Sequence, residues 1–381
     1  MSRRRTSLSP QPIAVLLGGP SAEHDVSLVS GRAIANALSS RGHTVSGWLI
    51  DLDGAWWRLP EAAMDRSLPQ TGYDRPETLG ADGPHSAARA IESIAALKPR
   101  PVVFPALHGP YGEDGTVQAL LESANLTYCG CRVAASAIGM DKAVFKRLCG
   151  GMDIPVVPWV TLTRADFEAD QPAALGRLEA FAASQPTRQL VIKPARLGSS
   201  IGVSIIHRPS EPPELEYAIA DAFHFDDLLL AESYVQGARE LEAAVMGNGE
   251  RDLEVFGPGE ILAGREFYDY DAKYRDSASR TVVSPELDGA VRDRARVLAR
   301  DAYLAIGAEG FARIDFLLAR DGTLYVSEIN TIPGFTPISL FPLLSAEGGY
   351  DFGDACERIV ELALQRTRLR PSRRLTRADL P

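Results

Sequence analysis

The sequence predicts an α/β amino-terminal domain on an open parallel sheet, followed by an α+β part in which β-hairpins recur. Three observations carry this reading. Ile13-Ala-Val-Leu-Leu17 is a short, wholly apolar run that breaks at Gly18-Gly19-Pro20 and leads into a helical pattern, as expected of a strand buried on both faces. A second strand, Pro101 to Pro105, runs in the same way into the Gly-rich ALHGPYGEDG (106–115) and a helix from Thr116 to Ser123. Further on, Phe311 to Ala319 and Thr323 to Ile329 flank Asp321-Gly322, a turn dipeptide typical of hairpins.

The 381 residues allow roughly two to three domains. Hydrophobic content of 45% and charged content of 24% are those of an ordinary globular protein. A net charge of −10 argues against a general nucleic-acid binder, because phosphate backbones want a basic face. Cys129, Cys131, Cys149 and Cys356 form no C-x-x-C pair and read as buried free thiols of a reducing cytosol. No stretch reaches the ~18–20 apolar residues of a membrane span, and the run after the basic start is too short for a signal segment. The expectation is a cytoplasmic protein with no membrane and no nucleic-acid partner, its Arg-rich ends being frayed tails.

Taken in order, the first helix (SAEHDVSLVSGRAIANALSS) places Val26, Val29, Ala33, Ile34, Ala37 and Leu38 at helical spacing. The turn before it offers backbone N–H groups to a carboxylate or phosphate, and it carries Glu23, a charge that a plain turn does not need. It is not the G-x-G-x-x-G dinucleotide pattern. Thr44 to Ile50 is a second strand, residues 54–90 show no pattern and read largely as irregular surface, and Ala87 to Leu97 is a helix. Two Gly-rich loops beyond strand ends mark the ligand edge of an open α/β sheet. His108, in the second loop, reads on its own as a satisfied loop histidine.

A helical run from Ala134 to Leu148 ends at Gly150-Gly151, with a first boundary near 133–138; its Lys142 reads by itself as a surface lysine. Phe167 to Ser184 is another helix. Gln189 to Lys193 and Val203 to His207 are strands joined by PARLGSSIG (194–202). The donors of Gly198, Ser199, Ser200 and Gly202 either wrap a polyphosphate or simply close a hairpin. Leu228 to Glu232 is a strand ending on an acid, and Glu240 to Met246 one with Glu240 and Glu242 on one face. REFYDYDAKYRDSASR (265–280) is a lid or an exposed crossover. Leu287 to Leu304 and Tyr350 to Gln365 are helices on either side of the hairpin.

In that hairpin, a two-residue loop at Asp321-Gly322 pairs Arg320 with Thr323. Counting outward, Asp315 faces Glu328 and Arg313 faces Asn330. Strand side chains alternate, so all four share one face, with opposed Cβ atoms roughly 4.5–5.5 Å apart. Opposed carboxylates repel. Either a cation sits between them, for which oxygen ligands from Asp, Glu and Asn suit Mg²⁺, or the acids meet only water and Arg313.

Lys193 before a Gly-Ser loop, an acid-tipped strand near 232, and R-x-D with E-x-N around a hairpin occur together in this order. The combination resembles the ATP-grasp superfamily. A finer resemblance is to the D-alanine–D-alanine ligases, carried by GGPSAEHDVSLVSG (18–31), ALHGPYGEDG (106–115), MDK (140–142), KPARLGSSIGVS (193–204), FYDYDAKY (267–274), RIDF (313–316) and EINTIPGFTPISL (328–340). It implies a Rossmann-like, pre-ATP-grasp domain at 1–135 and two ATP-grasp subdomains at 136–235 and 236–375, the latter with a lid at 265–280.

The resemblance also implies ATP and two Mg²⁺ (or Mn²⁺) ions, with Asp315, Glu328 and Asn330 as metal ligands. Lys142 and Lys193 would hold ATP phosphates, and Lys273 the γ-phosphate from the lid. Glu232 and Glu240 would reach the adenine amino group and the ribose, with Phe267 against the base. Glu23 would meet the ammonium of the first D-alanine in a network with Ser199 and Tyr274, with His108 close by. Ser339 and Leu340 would seat the second amino acid, and Arg313 with the Gly334 N–H would stabilise the developing oxyanion. The implied activity joins two D-alanines through a D-alanyl phosphate for peptidoglycan precursors. D-alanine and ATP are then the small-molecule partners, with a homodimer as an assembly open to the chain. The nearest alternative is a sister ligase joining D-alanine to D-lactate or D-serine; one of another class is a non-catalytic nucleotide- or amino-acid-binding protein.

Overall fold

Three sheets organise the chain in the computed structural model, which describes residues 8–210, 212–262 and 280–369. Pro12–Gly18 (β1), Thr44–Ile50 (β2), Trp56–Leu59 (β3), Asp82–His85 (β4), Val102–Pro105 (β5) and Thr127–Tyr128 (β6) form the first, in the order β4-β3-β2-β1-β5-β6. β1 runs parallel to β2 and β5, and β5 parallel to β6. Ile13 through Leu17 are at most 1% exposed, which is why the central strand is a continuous apolar run.

Residues 54–90, expected as largely irregular surface, extend this sheet by β3 and β4, both antiparallel to their neighbours. Asp51 makes the turn into β3. Its carboxylate accepts from the N–H groups of Asp53 and Ala55 and from Trp57 Nε1. Gly54 sits at φ +82, a left-handed conformation that glycine adopts without a Cβ clash. The sequence signal for this hairpin is Asp53-Gly54, the same dipeptide as Asp321-Gly322. Trp56 and Trp57 are buried beneath it.

The second sheet contains Trp159–Thr163 (β7), Leu190–Pro194 (β8), Ser204–Ile206 (β9) and Leu228–Ser233 (β10), antiparallel in the order β7-β10-β8-β9. It has a core of its own, where Leu162, Ile192 and Leu229 meet Leu178 and Ile219 from the helices Gln171–Ser184 and Pro212–Ala222. The third contains Arg239–Gly247 (β11), Glu254–Leu262 (β12), Arg280–Val282 (β13), Gly310–Leu318 (β14) and Leu324–Asn330 (β15), in the order β13-β12-β11-β14-β15. One face packs Leu241, Ala243 and Ile314 against Leu298 of helix Gly289–Ala305 and Phe145 of helix Lys142–Gly151. Its other side shares a cluster with the first sheet, in which Val15 and Phe104 join Phe311, Phe335, Phe341 and Ile359.

Two helical runs are each split by an aspartate. The stretch from Ala134 to Leu148, expected as one helix, is Val133–Met140 and Lys142–Gly151. Asp141 caps the second by accepting from the Val144 N–H at 2.9 Å. Phe167 to Ser184 divides likewise, Asp170 capping Gln171–Ser184 through the Ala173 N–H. An N-cap residue leaves helical geometry to accept such a bond, and apolar spacing alone does not reveal it.

The β14–β15 hairpin pairs Arg313 with Asn330 and Asp315 with Glu328, as expected, but its turn differs. Ala319 N–H donates to the Thr323 carbonyl and Gly322 N–H to that of Ala319. Arg320-Asp321-Gly322 is therefore a three-residue loop, closed by Gly322 at φ +87. Arg320 does not pair with Thr323. Pairing then runs one residue out of step as far as Phe316 and Val326, where the register shifts. Ser327 is the extra residue of a β-bulge, and it restores the register that brings Asp315 opposite Glu328.

Candidate active site

The three sheets meet at a cleft of about 1360 Å³. Among the described residues, every side chain singled out from the sequence lines it. Phe267, Lys273 and Tyr274, with residues 265–279 of the expected lid, lie outside the described residues.

The floor is the hairpin. Across β11, β14 and β15 the acids Glu242, Asp315 and Glu328 stand in a row. Two carboxylates ~5 Å apart repel by roughly 3 kcal/mol at an effective dielectric constant of about 20, so the row needs cations. Arg313 supplies one, donating from Nε and Nη2 to Asp315 at 2.6 and 2.7 Å, with Glu242 3.2 Å from Nε. Lys142 supplies the other, its Nζ 3.1 Å from Glu328 and donating to the Leu197 carbonyl at 2.7 Å. Burial alone would weaken both cations. The acids outweigh it, so Arg313 and Lys142 titrate above their ordinary values. The reading in which the acids meet only water and Arg313 missed Lys142.

Asn330 Nδ2 donates to Asp315 Oδ2 at 3.0 Å, so its amide oxygen is turned away from that contact. No three His, Cys, Asp or Glu side chains cluster as a metal centre among the described residues. Asp315, Glu328 and Asn330 nevertheless bring hard oxygen donors to one face, and that donor set fits Mg²⁺ or Mn²⁺ when Arg313 or Lys142 releases an oxygen.

On the second wall, Lys193 lies next to the end of β8 and Glu232 next to the end of β10, on the same face of the sheet. Glu232 Oε1 is 2.9 Å from the Nζ of Lys193 and 2.9 Å from that of Lys146. Lys146 was not singled out from the sequence. Its signal is its spacing, one helical turn after Lys142 and so on the same helix face. Burial would raise the Glu232 carboxyl, but the two ammonium groups hold it below the usual range. The loop from β8 to β9 carries Ser199, Ser200 and Gly202 at φ +52, +57 and +68, a costly left-handed stretch for two serines. Glu240 and Glu242 both face the cleft from β11.

The third wall is built from the two Gly-rich loops of the first sheet. Ser27 Oγ accepts from Gly18 N–H and donates to the Ala106 carbonyl, and Ser21 Oγ donates to that of His108. These bonds hold the loops together. Glu23, at the start of the first helix, accepts from Ser199 Oγ at 2.5 Å. Its carboxylate lies between Gly109 and Gly198, where an added Cβ would come within 2.5 and 2.9 Å of Oε2. His108 is fully engaged: Nδ1 lies 2.8 Å from the Ile332 carbonyl and Nε2 2.9 Å from Ser30 Oγ. A carbonyl only accepts, so Nδ1 carries the proton, and burial keeps the ring neutral by lowering its pKa. His108 therefore ties the loop to the segment after β15 rather than offering a free ring nitrogen.

Glu113, which sequence reasoning passed over within HGPYGEDG, lies beside it. Its carboxylate accepts from Gly109 N–H at 2.9 Å and Ile332 N–H at 2.7 Å. Burial, with Glu23 nearby, pushes it up to about 8. At the far end, Ser339 Oγ accepts from Thr336 N–H and pairs with Thr336 Oγ1 at 2.7 Å, next to Gly334. Leu340 lines the cleft but is 4% exposed and belongs to the shared apolar cluster.

Comparison with known proteins agrees along nearly the whole chain. Residues 12–131 match the family model "D-ala D-ala ligase N-terminus" and residues 148–361 "D-ala D-ala ligase C-terminus". A D-alanine–D-alanine ligase of Heliobacterium modesticaldum is 39% identical, covering 94% of this chain and 96% of its own. That of Halothermothrix orenii is 38% identical, covering 94% and 99%. Among solved structures, the D-alanine-D-alanine ligase from Coxiella burnetii superposes with a TM-score of 0.75 at 29% identity, covering 94% and 96%. The VanG D-Ala:D-Ser ligase from Enterococcus faecalis does so with a TM-score of 0.75 at 30% identity, covering 93% and 100%.

Proposed function

The chain belongs to the D-alanine–D-alanine ligase family, and from that premise we propose that it joins two D-alanines at the expense of ATP, supplying a dipeptide for peptidoglycan precursors. The observation that supports this best is the convergence on one cleft of Glu23, Lys142, Lys193, Arg313, Asp315 and Glu328, contributed by all three parts of the chain. A module that only binds an amino acid or a nucleotide has no use for opposed carboxylates kept apart by two cations.

ATP supplies the leaving group that converts the first D-alanine's carboxylate into an acyl phosphate; Asp315, Glu328 and Asn330 would hold divalent ions, whose charge there would offset that of the transferring phosphoryl group. Glu23, steadied by Ser199, accepts the ammonium of the first D-alanine and so orients its carboxylate. Lys142 and Lys193 hold phosphates, and Glu240 with Glu232 sits toward the nucleoside. Arg313 and the Gly334 N–H meet the negative charge that develops when the second amine attacks. Ser339 receives the second carboxylate, with Leu340 shaping the wall beside its methyl group. Phe267, Lys273 and Tyr274 keep the roles expected from the sequence: base contact, γ-phosphate contact and completion of the Glu23–Ser199 network.

The test is Mg²⁺-dependent phosphate release with product analysis. Release that requires D-alanine and yields D-alanyl-D-alanine is expected, and release indifferent to D-alanine would refute the reading. The equal superposition on a D-Ala:D-Ser ligase makes D-serine the second acceptor to include. A mixed dipeptide as the main product, from D-alanine and D-serine at equal concentration, would favour the sister activity.

A further inference from the structure

We propose that Lys146 is a positioning residue that keeps Glu232 paired, so that Lys193 can leave it for a nucleotide phosphate. The inference rests on Lys193 serving a phosphate. One oxygen, Glu232 Oε1, carries both lysines at 2.9 Å, and the two are not equivalent. Lys193 lines the cleft and is 9% exposed, whereas Lys146 is 1% exposed and does not reach it. Lys146 therefore cannot touch a ligand.

The Lys146 side chain is wholly buried against Glu232 at 2.9 Å, where charge and hydrogen bonding together fix the ammonium. The helix that carries it is anchored by the Asp141 cap at one end and by Ala143, packed against Leu230 of β10 and against Ala195 just past β8. Lys146 thus stays when Lys193 moves. Stripping a buried carboxylate of its only cation is among the most costly electrostatic changes a protein can make. Two lysines on one acid remove that obstacle, and they leave one surplus positive charge for a polyphosphate. The two ammonium groups keep Glu232 ionised against its burial, and the Glu232 charge in turn opposes the burial that lowers Lys146.

The test compares direct ADP titration in the presence of Mg²⁺ with the KM for D-alanine. Lys146→Met keeps the shape and loses the charge, leaving Lys193 pinned on Glu232. ADP affinity is expected to fall about tenfold, while the KM for D-alanine moves less than about twofold. Adding Glu232→Gln to Lys146→Met, read with Mg²⁺–tripolyphosphate so that no base contact of Glu232 enters, is expected to recover part of the lost affinity, because a neutral amide does not hold Lys193. A merely structural role for Lys146 predicts the opposite, a deeper loss in the double variant. Lys146→Arg, which keeps the charge, is expected to bind ADP like the parent. Unchanged ADP affinity in Lys146→Met, or a double variant weaker than the single one, would overturn the inference. Lys146→Gln carries the same expectations should the Met variant fail to fold. A parent that binds no ADP would overturn this inference and the ligase reading together. A parent with D-alanine-dependent turnover and an unaffected Lys146→Met would overturn this inference alone.

Discussion

Glu23 is held in a slot that admits hydrogen on both flanks and little else. A methyl group at Gly109 would sit 2.5 Å from its carboxylate, and the residue is already left-handed at φ +73. Gly109→Ala is therefore expected to displace Glu23 and raise the KM for D-alanine about tenfold or more, as steady-state kinetics with saturating ATP would read; an unchanged KM would count against Glu23 as the ammonium's partner. Glu113 makes a pH prediction. Its folded value of about 8 lies above its ordinary value of 4.5, so the folded state favours the protonated acid. Its stabilisation is complete below pH 4.5 and is lost as pH rises through about 8. Thermal melts of Glu113→Gln, which cannot ionise, are expected to show a flatter decline over that window, from a lower starting point because one backbone N–H loses its acceptor. An identical pH slope in parent and variant would remove Glu113 from this role. The acids of the site were legible as residues sharing a face, because strand alternation is a local rule. Their cations were less so. Lys142 reaches Glu328 across the fold, and the Lys146–Glu232 contact joins a helix to a strand far along the chain, so no spacing rule connects them.

At the scale of elements, β14 and β15 show how a correct pairing can rest on a wrong turn. The Asp-Gly dipeptide marks the hairpin but not its loop length, since two- and three-residue loops both accept glycine at a left-handed position. The bulge at Ser327 then absorbs the difference. Gly322→Ala is expected to cost about 1 kcal/mol through its φ of +87, read as a lowered denaturation midpoint with activity per folded molecule unchanged. By contrast, Asp315→Ala and Glu328→Ala remove charge from the strand face that opens on the cleft. They are expected to stay folded and to lose about 10²-fold or more in turnover; wild-type turnover in both would refute the metal assignment. Strands and helices with strong periodicity were readable from the sequence. The Asp141 and Asp170 breaks were not, because a capping aspartate costs the apolar pattern nothing.

For the whole molecule, the three sheets are not three equal bodies. The first and third share one apolar cluster, and polar contacts close the seam. Glu357 accepts from Arg41 at 3.1 Å and lies 3.1 Å from His43 Nε2, while buried Arg366 donates to the carbonyls of Tyr128 and Gly130. Glu357→Ala leaves buried His43 Nε2 without its acceptor, while Arg41 keeps Asp351 and Asp354, and is expected to cost about 2 kcal/mol, seen as a single lowered melting transition for the two sheets; a variant melting with the parent would show that Glu357 adds nothing to the seam. This sharing was invisible in the sequence, since a buried residue does not announce which sheet it is buried against. The second sheet has its own core, yet the loop after β8 lends Ser199 to Glu23, and that loop follows directly on Lys193, which is proposed to hold a phosphate. On the proposed roles, amino acid and nucleotide are thereby linked through one hydroxyl. Thermodynamic reciprocity then requires that D-alanine tighten ADP by the same factor by which ADP tightens D-alanine, and Ser199→Ala should bring both factors toward unity together.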